Sequence, residues 1–142
     1  RETPGLLAGI VLAGANNGNL GNPNDDGYIT AEEFCTLNLQ GCRLLTLSAC
    51  DSSKGKAIPG EGLISMTRAA KQAGAEAILS SLWVVDDFKT KNLMVNFYSN
   101  FWNNPKNGAE ALRNAKLKMR RKQQDEGADY PEHWAGFVYH GL

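Results

Sequence analysis

Chemistry enters this chain at Cys50. The run Leu44-Leu45-Thr46-Leu47-Ser48-Ala49-Cys50-Asp51 is apolar until it breaks into small residues and a single thiol. A buried strand that stops there delivers Cys50 to the carboxyl edge of a sheet, where open α/β folds place their reacting groups. The polar stretch Asp51-Ser52-Ser53-Lys54-Gly55-Lys56 that follows keeps the thiol within reach of solvent. A thiol of ordinary pKa, about 8.5, is only a few per cent thiolate at neutral pH, so a nucleophilic role needs a base. The chain contains two histidines, His133 and His140, both far from Cys50 in sequence. The backbone N–H of Cys50 is available as an oxyanion donor. The remaining cysteines, Cys35 and Cys42, lack a strand-end setting and read as small buried hydrophobes.

The order of elements that must position Cys50 is α/β. Gly9–Gly14 reads as a short apolar strand, followed by a Gly/Asn-rich loop from Ala15 to Gly27. Thr30-Ala31-Glu32-Glu33 has capping-box spacing and opens a short helix to about Leu37. The strand towards Cys50 comes next. From Gly62 to Gly74, Leu63, Ile64, Met66, Ala69 and Ala70 recur at helical spacing, with Gly74 as the stop. Ala75 to Trp83 reads as a second buried strand. A helix begins at Asp86 or Asp87 and runs to about Trp102, and another runs from Ala109 to about Gln124. Trp134 to Tyr139 closes the chain as a strand. This alternation implies parallel pairing with right-handed crossovers. Trp83, Trp102 and Trp134 read as core or edge packing.

Composition sets the outer limits. A chain of 142 residues holds one domain or part of one, and 15 basic against 15 acidic residues leave no net field for nucleic acid or an anionic membrane. The basic cluster Lys116 to Lys122 therefore reads as a solvated helix end. No apolar run approaches the length of a bilayer span. Three cysteines without metal-ligand spacing argue against a disulfide scaffold or a zinc site and for a reducing cytoplasm. The chain starts at Arg1 without Met, as a trimmed or excised piece does.

Several motifs in fixed order resemble the CHAT domain, a caspase-like cysteine peptidase family of clan CD, related to separase and often fused to tetratricopeptide repeats. They are Ser48-Ala49-Cys50-Asp51, Gly60-Glu61-Gly62, Ala73-Gly74-Ala75, Ser81-Leu82-Trp83-Val84-Val85-Asp86-Asp87, Phe97-Tyr98, Ala109-Glu110-Ala111-Leu112-Arg113 and His133-Trp134-Ala135-Gly136-Phe137. The resemblance covers essentially the whole chain. It implies a caspase-like three-layer sandwich with a mostly parallel sheet, of which residues 1–142 form the C-terminal part. It also implies a Cys-His dyad in which Cys50 attacks a peptide carbonyl. The family's histidine lies in a His-Gly motif upstream of the first strand, so the partner implied is an N-terminal half of the same domain. His133 falls in an aromatic motif where packing is its expected role. In separase the segment comparable to Trp83–Asp87 supplies an acid to the pocket for a P1 arginine. By resemblance, Asp86 and Asp87 are candidates for an acidic S1 pocket that holds a basic P1 side chain. The alternative for either is a helix cap. Asp51 and Glu61 flank the nucleophile and either line the same cleft or are solvated loop charges, and Gly-Glu-Gly also suits a turn before a helix. No cofactor is implied.

One competing motif overlaps the second element. Asn22 to Glu33 scans as a twelve-residue calcium loop, with Gly27 at position 6, Ile29 at position 8 and Glu33 at position 12. Asn at position 1 and a Gly/Asn-rich stretch in place of the entering helix weaken that reading, and a turn followed by a capping box explains the same residues. Three function classes follow: a cysteine endopeptidase completed by a histidine-bearing segment, a catalytically silent CHAT-like interaction module, and a calcium-responsive regulatory fragment. With its upstream strands absent, the chain alone is expected to expose an apolar sheet edge and to copurify with its N-terminal half.

Overall fold

The computed structural model describes residues 8–12, 15, 26–48, 61–83 and 85–141, with the side chains of Glu61 and Asp87 outside that description. Among the described residues, five strands and five helices are ordered β1 (Gly9–Val11), β2 (Tyr28–Thr30), α1 (Ala31–Phe34), β3 (Leu45–Leu47), α2 (Glu61–Gln72), β4 (Ile78–Ser81), α3 (Asp87–Asn103), α4 (Gly108–Asp125), α5 (Pro131–Trp134) and β5 (Phe137–His140). A single 3₁₀ turn, Pro105–Asn107, separates α3 from α4. The fold is α/β.

The main sheet has the order β3-β4-β5. β3 and β4 run parallel, with Leu45 opposite Ile78 and Leu47 opposite Ser80, and α2 makes the crossover between them, as the alternation of elements requires. β5 departs from the parallel expectation. It pairs antiparallel with β4, from Ser81↔Phe137 to Ile78↔His140. The reason is the number of helices in the connection. α3 and α4 form a helical hairpin, so the chain descends and ascends once before β5 and re-enters the sheet at the edge it left.

Side-chain alternation on the sheet sorts the core into two clusters. On one face Leu45, Leu47 and Ile78 pack with Met66, Ala69 and Ala70 of α2 and with Phe34 of α1. On the other, Leu79 and Phe137 pack with Leu93, Phe97 and Phe101 of α3 and with Leu112 and Ala115 of α4. The sheet thus lies between two helical layers. Thr46 points into the second layer, where its hydroxyl lies 2.7 Å from the Tyr98 hydroxyl.

A strand that the sequence does not announce, β2, lies between the Gly/Asn-rich loop and the capping box and pairs antiparallel with β1 from Gly9↔Thr30 to Val11↔Tyr28. A Cβ on Gly9 would lie 2.6 Å from the Ile29 carbonyl oxygen, so the close approach of these strands requires glycine there. Thr30 ends β2 and caps α1. Its hydroxyl accepts from the Glu33 N–H at 3.2 Å, and the Glu33 carboxylate accepts from the Thr30 N–H at 2.9 Å, the reciprocal pair anticipated from spacing. Asp26 accepts from the Tyr28 N–H at 2.9 Å. Asp26 and Glu33, at positions 5 and 12 of the calcium-like pattern, therefore each accept from a backbone N–H. Residues 13–14 and 16–25, including positions 1 to 4 of that pattern, lie outside the described residues.

Two further differences concern the aromatics and the chain end. Trp102 is 62% exposed and is not a core residue; it meets Phe101 edge-on at 5.4 Å while α3 buries the opposite side. The segment entering β5 is not extended from Trp134: Pro131–Trp134 forms a turn of helix, with Pro131 in its first turn, and the strand begins at Phe137. Cys35, the residue after α1, and Cys42 are free thiols, only half-buried.

Candidate functional site

Because β3 and β4 are parallel, their carboxyl ends share one edge of the sheet, and the antiparallel β5 begins at that same edge. Converging there are Ser48 after β3, Ser81-Leu82-Trp83 after β4, the start of α3 and the turn between α5 and β5. Cys50, one residue beyond Ala49, lies outside the described residues, as does Asp51. The strand that leads to them does not, and it ends at the edge anticipated from sequence.

The turn before β5 is braced from several sides. The Leu82 N–H donates to the Gly136 carbonyl at 2.7 Å. A Cβ on Gly136 would sit 3.1 Å from both the Trp83 indole nitrogen and Val85, so any larger residue there would have to push these side chains aside. The Lys116 ammonium donates to the Ala135 carbonyl at 3.3 Å, and burial pushes it below its ordinary lysine range. Trp134 donates to Asp129 at 3.1 Å, Arg120 lies 5.5 Å over the Trp134 ring, and Arg120 pairs with Asp129 at 3.4 Å. Lys118 donates to Asn96 at 2.8 Å, and Lys122 pairs with Glu126 at 3.9 Å. Most of the basic cluster on α4 is thus engaged within the fold.

The two adjacent acids are now distinguishable. Asp86 is the N-cap of α3 and accepts from the Lys89 N–H at 3.0 Å, filling one of the orphan donors of the first turn. The Thr90 hydroxyl closes on the Asp86 carbonyl at 2.8 Å. Asp87 opens the helix at the same edge. Glu61 opens α2 directly after the segment that carries Cys50.

Neither histidine is set up to activate a thiol at this edge. His140 pairs with Ile78 at the far end of β4, about 10 Å along the strand from Ser81 at roughly 3.4 Å per residue. His133, in α5, is held by Gln123 of α4. The Tyr130 N–H donates to the Gln123 amide oxygen at 3.1 Å, which turns the amide NH₂ towards His133 Nδ1 at 2.9 Å. A neutral His133 therefore accepts at Nδ1 and carries its proton on Nε2, leaving no free lone pair for a thiol proton. Sequence reasoning did not find Gln123 or Lys116, and periodicity marks both only as helix positions. Among the described residues no group of three or more His, Cys, Asp or Glu side chains is arranged to hold a metal ion, and no helix is long and apolar enough to cross a membrane.

No solved structure matches the chain. Tetratricopeptide repeat protein 28 of Mus musculus is 31% identical over 113 residues, covering 80% of this chain and 4% of that protein. The protein of the same name from Homo sapiens is 34% identical over 119 residues, covering 84% of this chain and 5% of its own length. The chain thus spans a small fraction of these relatives. The sequence profile of the CHAT domain matches residues 2–141, and the chain belongs to the CHAT-domain family.

Proposed function

We propose that residues 1–142 form the C-terminal part of a caspase-like cysteine endopeptidase domain whose nucleophile is Cys50. The observation that carries this reading is the convergence of β3, β4 and the start of α3 on one sheet edge, in a chain whose CHAT-domain match is nearly complete. The base is a histidine supplied from outside this chain, consistent with the placement of His133 and His140. The imidazole takes the thiol proton, and the Cys50 sulfur adds to the scissile carbonyl carbon. The oxyanion is held by the Cys50 N–H and a second donor next to the histidine. The C–N bond breaks as the imidazolium protonates the leaving amine. Water then adds to the thioester, the C–S bond breaks, and the acid product leaves with the thiol restored.

Specificity follows from the two acids. Asp86 is occupied by the α3 cap, so Asp87 is the better donor of negative charge to a basic P1 side chain. Asp51 and Glu61 stand as secondary candidates beside the nucleophile. The relatives are named for tetratricopeptide repeats. We accordingly place this domain in a cytoplasmic parent protein whose repeats gate access to the site, with proteins as substrates and no cofactor.

The test is labelling of the parent protein with an arginyl acyloxymethyl ketone, alongside a Cys50→Ala variant. A covalent adduct mapped to Cys50 and absent from the variant is the expected result. No adduct with arginyl or any other P1 probe, on a folded protein, would instead point to a silent interaction module or a latent enzyme awaiting its activator.

A further inference from the structure

Lys116 stands where stability alone would not place a cation. It lies midway along α4, half-buried, and its ammonium donates to the Ala135 carbonyl at 3.3 Å. It forms no ion pair among the described residues, and burial holds its pKa below the ordinary lysine value. Withdrawing an unpaired ammonium from water costs free energy that one neutral acceptor only partly returns. An unbranched apolar side chain of similar length, such as methionine, would pack there without that cost. A residue that breaks a rule of the fold without a local gain points to a role at the site.

What the ammonium holds is the turn at the site edge. Ala135 is the C-cap of α5, and Gly136 leads into β5. The Gly136 carbonyl accepts from the Leu82 N–H at 2.7 Å, and Gly136 packs closely against the Trp83 indole and Val85. Asp86, the N-cap of α3, follows Val85 directly, and Asp87 opens the helix. Helix α5 is tied to α4 without any help from Lys116. Gln123 holds the Tyr130 N–H and His133, while Arg120 lies over the Trp134 ring. The Lys116 hydrogen bond therefore acts on the turn and not on the docking of α5.

We propose that Lys116 is a positioning residue: its ammonium fixes the Ala135-Gly136 turn, the turn fixes Trp83 and Val85, and these set where the first turn of α3, which carries Asp87, stands at the sheet edge. The consequence for substrate rests on the peptidase reading, whereas the placement of Trp83 does not.

The test has two arms. In the first, the 142-residue chain carries 5-fluorotryptophan, and its three tryptophan fluorine resonances are assigned by single Trp→Phe changes. Lys116→Met, which lacks a donor, should shift the Trp83 resonance and leave that of Trp102, exposed on α3, in place. Lys116→Arg, which keeps a charged donor, should return Trp83 most of the way. Both variants should melt within a few degrees of the unsubstituted chain, because only one hydrogen bond changes. In the second arm, the parent protein is labelled with the arginyl ketone. The labelling rate constant should fall about tenfold in Lys116→Met, as for a small displacement of a positioned group, and recover in Lys116→Arg. An unmoved Trp83 resonance in Lys116→Met would overturn the proposal. So would a displaced resonance that arginine does not return, which would assign the effect to packing of the lysine stem. A displaced and restored Trp83 with unchanged labelling would confine Lys116 to the turn and remove it from the site. If no probe labels the unsubstituted parent protein, the failure lies with the peptidase reading, and the fluorine arm alone decides the brace.

Discussion

At the residue scale, the adjacent acids Asp86 and Asp87 separate structure from chemistry. An N-cap carboxylate satisfies a backbone donor that otherwise goes unpaired, and its loss costs about 1 kcal/mol. Asp86→Ala should therefore lower the thermal midpoint by several degrees, and Asp86→Asn or Asp86→Ser, which keep an oxygen at the cap, should restore most of it. Asp87→Asn should leave the midpoint within a degree or two yet reduce arginyl-probe labelling of the parent protein at least tenfold. If Asp86→Asn abolishes labelling and Asp87→Asn does not, the assignment of the two acids is reversed. This division was half legible from sequence. Two acids before an apolar helical pattern announce a cap, but which one takes the role depends on where the chain turns after Trp83. That turn is set by the packing of Gly136 on Trp83 and Val85, a contact across more than fifty residues that no local pattern encodes. The histidines illustrate the same limit. Sequence distance alone left both open as bases, whereas the strand register and one glutamine amide assign them elsewhere.

At the element scale, α4 begins at a glycine that its helical context does not explain. Gly108 has φ −61° and ψ −36°, so alanine would be conformationally welcome and, by helix propensity alone, would stabilise by about 1 kcal/mol. Contact reverses the sign. A Cβ on Gly108 would overlap the phenol ring of Tyr139 on β5, which packs with the second core cluster and whose hydroxyl burial and Glu76 hold above its ordinary pKa. Gly108→Ala should destabilise by about 1–3 kcal/mol in chemical denaturation. Combining it with Tyr139→Leu should cost less than the sum of the two single changes, because the shorter side chain vacates the space. Additive effects would refute the contact. The long elements were legible because α2, α3 and α4 each repeat an apolar stripe with a clear stop, such as Gly74 with φ 106° after α2. β2 was not. Three residues carry no period, and Tyr28-Ile29-Thr30 lies within a stretch whose spacing also fits a cation loop. The direction of β5 was hidden for a different reason: strand–helix alternation suggests parallel pairing, and only the α3–α4 hairpin between β4 and β5 returns the chain to the same edge.

At the scale of the whole molecule, the sheet is covered on both faces but, among the described residues, open along one side. β4 has a neighbour on each flank, while β3 has β4 alone among the described residues. In a parallel ladder, alternate residues direct both backbone groups to the same neighbour. Leu45 donates to the Ala77 carbonyl at 2.9 Å, so the register sends the N–H of Leu45 and Leu47 towards β4 and that of Thr46 away from it. An outward row of unpaired backbone groups beside half-buried leucines is the form that recruits another strand. If residues 1–142 are one part of a larger peptidase domain, the parent segment preceding Arg1 supplies that strand. Hydrogen exchange then offers a readout at one amide. In the chain alone, the Thr46 N–H should exchange orders of magnitude faster than those of Leu45 and Leu47. Coexpression with the preceding parent segment should slow Thr46 to the level of its neighbours and give a soluble complex. The Ile78 and Leu79 amides, buried in the central strand, should change little and report that the comparison is between folded states. A Thr46 amide that stays fast in a stable complex would mean that the preceding segment joins elsewhere, and the caspase-like sheet order would have to be abandoned.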